Sequence, residues 1–72
     1  MTNKIRLDTY KDAVEFSSIA ESLEGRIIVK DNKGHCVNGK SLLGMLYALE
    51  FDELIVESEE DIYMHIEKFV KE

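Results

Sequence analysis

The sequence predicts a two-layer α/β fold, with helices covering one face of a small sheet, and three observations predict it. Strand-like runs interleave with stretches whose apolar residues recur every three to four positions. A tight turn, Asp31-Asn32-Lys33-Gly34, lies between two of the strand-like runs. A serine, Ser41, stands directly before a short apolar segment that reaches Leu49. Strands that alternate with helices and also include a hairpin fit a sheet whose apolar side is buried under helices.

Taken in order, Lys4-Ile5-Arg6-Leu7 alternates polar and apolar, as a half-buried first strand does. Asp8 and Thr9 can cap the helix that follows, and Thr9 with Asp12 approximates a capping box. From Tyr10 to Glu24, Ala13, Phe16, Ile19, Ala20 and Leu23 share one helical face, while Val14 lies off it. Gly25 is placed to end this helix. Arg26-Ile27-Ile28-Val29-Lys30 reads as a second strand, and His35-Cys36-Val37 pairs back on it after the turn. A helix from Leu42 to Leu49 follows, then a fourth strand over Glu53-Leu54-Ile55-Val56-Glu57. Ser58-Glu59-Glu60-Asp61 supplies a cap and an acidic first turn to a last helix, whose face is Ile62, Ile66, Phe69 and Val70. The element order is β-α-β-β-α-β-α, in one domain over residues 1–72.

The Ser41 helix is unusually apolar. Ser41 suits an N-cap, since its hydroxyl can accept from the first free amides. After it only Gly44 breaks the apolar run to Leu49. Met45, Ala48 and Leu49 form one stripe, and Leu42, Leu43, Leu46 and Tyr47 form a second. A surface helix buries one stripe, so with the first against the sheet the second becomes a solvent-facing patch of the kind that marks partner surfaces.

Composition bounds the function classes. The chain has 72 residues and a formal charge of −6, which argues against a nucleic-acid backbone as partner. No apolar run approaches the ~20 residues of a membrane span, and no signal-peptide pattern opens the chain. The single Cys36 cannot form an internal disulfide, which fits a reducing cytoplasm. Gly34-His35-Cys36-Val37-Asn38-Gly39-Lys40-Ser41 spells the phosphate-binding pattern G-x-x-x-x-G-K-S. Its context is wrong, because the loop interior reads as a strand and no apolar strand ends in a suitable aspartate. His35 and Cys36 are adjacent and point to opposite sheet faces, so no metal site is expected. Glu57 to Asp61 reads as a solvated helix start without chemistry. No cofactor is implied.

Val37-Asn38-Gly39-Lys40-Ser41-Leu42-Leu43-Gly44-Met45-Leu46 resembles the regulatory-serine segment of the histidine-containing phosphocarrier proteins (HPr) of the bacterial sugar phosphotransferase system. There a Lys-Ser pair opens the second helix, with a glycine three residues on and aliphatic residues around it. The resemblance extends to element order over nearly the whole chain. It implies an open-faced sandwich with an antiparallel four-stranded sheet of order 1-4-2-3 and three helices on one face. It also implies that Ser41 is a regulatory phosphorylation site and that Lys40, Leu42, Leu43, Leu46 and Tyr47 form a docking surface. The partners implied are an HPr kinase-like enzyme or phosphotransferase-system and regulatory proteins.

The resemblance breaks at the catalytic segment. Thr9 stands where the family has its phosphoryl-carrying histidine, Lys11 where it has an arginine and Asp12 where it has a proline. A helix N-terminus favours anions, yet Asp8 and Asp12 would satisfy those donors and repel a phosphate. The expectation is a non-enzymatic, regulatory or adaptor homologue without histidine phosphotransfer, a known type of member acting in carbon-catabolite regulation. A non-phosphorylated interaction domain on the same fold is the alternative, and a small nucleotide-binding protein using the P-loop match is a third.

Overall fold

A computed structural model describes residues 1–71. Its elements run β1 (Thr2–Ile5), α1 (Tyr10–Glu21), β2 (Ile27–Lys30), β3 (Cys36–Asn38), α2 (Leu42–Ala48), β4 (Leu54–Ser58) and α3 (Tyr63–Ile66), followed by a 3₁₀ turn over Glu67–Phe69. The four strands form one antiparallel sheet of order β1-β4-β2-β3.

Strand alternation sorts the two faces of this sheet. Register pairs Asn3 with Val56, Val56 with Val29 and Val29 with Val37, so these four side chains share one row. Ile5, Ile27, Val29, Leu54 and Val56 are buried on that side. They form one cluster with Ala13, Phe16 and Ala20 of α1, Met45 and Ala48 of α2, and Ile62, Ile66 and Phe69 from the C-terminal turns. All three helices therefore lie over the same face. Phe16 meets Phe69 edge to face, with centroids 5.6 Å apart, a geometry worth about 0.5–1.5 kcal/mol beyond burial. On the other face Ile28 and Ile55 stay half-buried among Lys4, Lys30, Glu57 and Cys36.

Element order matches the sequence expectation, while several boundaries move. The first strand spans Thr2–Ile5 rather than Lys4 to Leu7. The reason lies at the far end of the chain. Arg6 N–H donates to Phe69 O at 2.8 Å, Lys71 N–H donates to Lys4 O at 2.9 Å, and Ile5 bridges Val70. Val70 thus leaves the last helix face assigned to it and closes the outer edge of β1 in an extended conformation. The first helix ends at Glu21, before the expected Glu24. Ser22 N–H and Leu23 N–H fall back on Ile19 O and Ala20 O, and the Ser22 hydroxyl also donates to Ile19 O. Such tightened bonds end an α-helix early, and Gly25, four residues past Glu21, turns the chain with φ +84°. Val14, off the apolar face, is half-buried.

The fourth strand shifts to Leu54–Ser58, because its ladder partners run from Ile5 opposite Leu54 to Ile27 opposite Ser58, and Glu53 before it pairs with Lys4 at 3.2 Å. The acidic segment after β4 does not cap the last helix as expected, since Ile62 is the N-cap of α3 with no side-chain cap bond and no acidic residue lies in its first turn. Ser58 Oγ donates to Glu60 O, Arg26 N–H donates to Glu59 Oε1, and Tyr63 N–H donates to Asp61 Oδ1. No described helix is long and apolar enough to cross a membrane.

Candidate functional site

The candidate site is built on the passage from β3 into α2. Gly39 N–H donates to Ile27 O at 2.8 Å, which holds the turn against β2. A side chain there would not fit, since its Cβ would lie 2.7 Å from Ile27 Cγ2. Asn38 then organises the helix entry, with Lys40 N–H donating to its Oδ1 at 2.9 Å and Ser41 N–H to its carbonyl at 3.0 Å. Ser41 is the N-cap of α2, and its Oγ accepts from Gly44 N–H at 3.1 Å. Gly44 lets α2 sit close on β3, because a Cβ would stand 3.2 Å from Asn38 O and 3.3 Å from Val37 Cβ.

From that anchor α2 divides as its stripes predict, with one correction. Met45 and Ala48 are fully buried and Leu49 is half-buried against the core. Leu43 is 80% exposed, Tyr47 54% and Leu42 43%. Leu46, expected in the solvent-facing stripe, is half-buried and packs on the core cluster. The cause is the width of the buried arc. Met45 and Leu49 flank Leu46 on the inner side, and a core-facing arc wider than about 100° takes it in. The open patch is therefore Leu42, Leu43 and Tyr47. Lys40 lies beside it, but its ammonium donates to Leu23 O at 2.7 Å and so ties α2's entry to the end of α1.

The helix terminus at Thr9 is closed instead. Thr9 caps α1, with Asp12 N–H donating to Thr9 Oγ1 at 3.2 Å. In return the Asp12 carboxylate accepts from Asp8 N–H at 2.9 Å and Thr9 N–H at 3.2 Å. The capping box is complete, and its own carboxylate stands where a bound anion would sit. Asp8 pairs with Arg6 at 2.8 Å, adding a second carboxylate to the approach, while Lys11 is exposed.

The P-loop letters do not form a phosphate cradle. β2 and β3 are an antiparallel hairpin, and the amides of Gly39, Lys40 and Ser41 are bonded within the protein. Lys40 is committed to Leu23 O.

One cluster was not anticipated from the sequence. Asp31 is buried in the β2–β3 turn, where its Oδ1 accepts from Lys33 N–H and His35 N–H at 2.9 Å each. Its Oδ2 lies 2.7 Å from His35 Nδ1, and His35 stacks on Phe51, which meets Tyr47 edge to face. Burial pushes the Asp31 carboxyl up, yet the His35 ring and the two amides together hold it below its ordinary value. Beside it Lys33 reaches Asp52 at 2.6 Å, and that hydrogen bond and charge raise the Lys33 ammonium. On the open sheet face the Lys30 hydrogen bond and charge lower Glu57. The sequence signal for the Asp31 cluster was an aspartate four residues before a histidine across a glycine turn. The Phe51 contact joins elements too far apart in the chain for spacing to reveal it. Among the described residues no group of three or more His, Cys, Asp or Glu is placed to hold a metal ion.

No family model matches the chain, and neither does any curated protein or solved structure.

Proposed function

We propose that this chain is an HPr-like docking domain that presents α2 to partner proteins and is regulated through Ser41, without histidine phosphotransfer. One observation carries it. Three exposed apolar side chains, Leu42, Leu43 and Tyr47, stand on the short helix that Ser41 caps. Large apolar side chains grouped on a small domain are costly to leave in water unless a partner covers them. The sheet order is the one the resemblance implies. The fit is closest to a cytoplasmic adaptor of phosphotransferase-system or regulatory proteins.

The chemistry proposed at Ser41 is transfer of a phosphoryl group from a nucleotide to Oγ by a separate kinase. An Oγ–P bond forms, the nucleotide's terminal P–O bond breaks, and the hydroxyl proton leaves. About −1.5 to −2 charges would arrive at the positive end of α2. The group would meet an electropositive first turn, since α2 has no acidic residue there. The Ser41 oxygen already accepts from Gly44 N–H, so the first turn stays capped. At Thr9 the reverse holds, because Asp12 fills the seat and no imidazole is present.

The test is incubation with an HPr serine kinase, and separately with enzyme I and phosphoenolpyruvate. The proposal expects acid-stable phosphate on Ser41 by mass spectrometry and no acid-labile label. Acid-labile label on His35 or His65 would overturn the second part. Absence of phosphate on Ser41, with retained binding of the same kinase to α2, would instead favour the non-phosphorylated interaction domain.

A further inference from the structure

The two outer edges of the sheet are treated differently. The β1 edge is closed by Phe69, Val70 and Lys71. Among the described residues the β3 edge has no such cover. Bonded pairs alternate along an antiparallel ladder, and Gly39 N–H to Ile27 O and Asp31 N–H to His35 O fix which pairs they are. Val37 is then bonded to Val29, while the backbone groups of Cys36 and the amide of Asn38 point away from β2. Only the Asn38 carbonyl is taken, by Ser41 N–H. Cys36 and Asn38 are exposed, and β3 itself carries no charge, proline or bulge of the kind that guards an edge.

Charge says what could pair there. The segment from Gly25 to Ser41 carries Arg26, Lys30, Lys33 and Lys40 against Asp31 alone, in a chain of formal charge −6. Lys30 and Lys33 are matched by Glu57 and Asp52, and the Lys40 ammonium is held on Leu23 O, while Arg26 makes no ion pair among the described residues. Arg26 lines an open groove of about 380 Å³ at this edge, together with Ile27, Ile28, Cys36, Val37 and Asn38. A strand laid along β3 would gain main-chain bonds from the edge, and its alternate side chains would reach the groove.

We propose that the β3 edge is a second docking site, which accepts an extended acidic peptide segment as a fifth strand, with Arg26 facing its carboxylates. This surface shares no residue with the open patch of Leu42, Leu43 and Tyr47.

The experiment titrates the full chain with a capped heptapeptide of alternating glutamate and valine, followed by amide NMR and hydrogen exchange. Its controls are the lysine–valine counterpart and the acidic peptide with a central proline. The expected result is that Cys36 and Asn38 amides gain protection with the acidic peptide alone, and that Arg26→Glu weakens binding about tenfold. Cys36→Pro removes the outward donor while leaving the Val29–Val37 bonds. If that variant does not fold, Arg26→Glu carries the test. Equal binding of all three peptides, protection confined to Leu42 and Leu43, no binding at millimolar peptide, or pairing of two copies through β3 would each overturn the proposal.

Discussion

The entries of α1 and α2 use the same cap chemistry to opposite ends. At α1, Thr9 and Asp12 bond each other's backbone amides, and a carboxylate fills the anion seat. At α2, Ser41 bonds Gly44 N–H alone, no acidic residue lies in the first turn, and three exposed apolar side chains follow. A self-closed terminus has nothing left to offer a ligand. A terminus capped by one hydroxyl keeps its positive end open, which is where the proposed phosphorylation of Ser41 would place its charge. The difference lies in one residue three positions past each cap, Asp12 in one helix and Gly44 in the other.

The largest expected effect sharpens the division within α2. Met45→Ala, at a fully buried position, should cost about 2–5 kcal/mol in chemical denaturation. Leu43→Glu should stay within about 0.5 kcal/mol of the parent. A large loss from Leu43→Glu would break the distinction between inner and outer stripes. Leu46→Glu is not a clean probe, because Leu46 touches the core.

Next in size are the caps. Thr9→Ala should cost about 1 kcal/mol of stability, since it removes the hydroxyl arm of the capping box. Ser41→Asp should unfold at the same temperature as the parent or slightly higher. Aspartate caps as well as serine, and a negative charge at that terminus contributes about 0.3–1 kcal/mol. Marked destabilisation by Ser41→Asp would mean that the α2 entry cannot take added charge, and the contrast with α1 would fail.

The smallest effects are those of pH. Asp31 and Glu57 are held below their ordinary values, so their contribution is present above the unfolded carboxylate pKa. It should fade as pH falls through their folded values, below about pH 4. Lys33 is held above its ordinary value, so its contribution is present below the unfolded lysine pKa. It should be lost as pH rises through the folded value, above about 10.4. Thermal unfolding across pH reads both limits, and Asp31→Asn should flatten part of the acid limb.

Much of this was legible in the chain. The sequence pattern placed the four strands and three helices in order, because apolar residues on each element mark the face that meets the core, although the last helix shortens to Tyr63–Ile66 and continues as a 3₁₀ turn. The Ser41 and Thr9 caps were legible for the same reason, since capping depends on residues within one turn. Boundaries set by distant partners were not. β1 ends where the C-terminal segment takes over its edge, and Val70 joins that edge instead of a helix. Leu46 was misplaced because a wheel gives direction but not the width of the buried arc. The P-loop letters misled for a related reason. A pattern of residue types does not say whether backbone amides are free, and here Asn38 and Ile27 occupy them.

The central claim is that the exposed face of α2 recruits the enzyme that modifies Ser41. The most direct measurement is the initial rate of Ser41 phosphorylation by an HPr serine kinase, for the parent and for Leu43→Glu, with folding of both checked by thermal unfolding. The account predicts phosphate on Ser41 of the parent and at least about a tenfold lower rate for Leu43→Glu, equivalent to about 1.4 kcal/mol, with unfolding temperatures unchanged. Equal rates for the two proteins, or no phosphate on Ser41 of a folded parent, would contradict it.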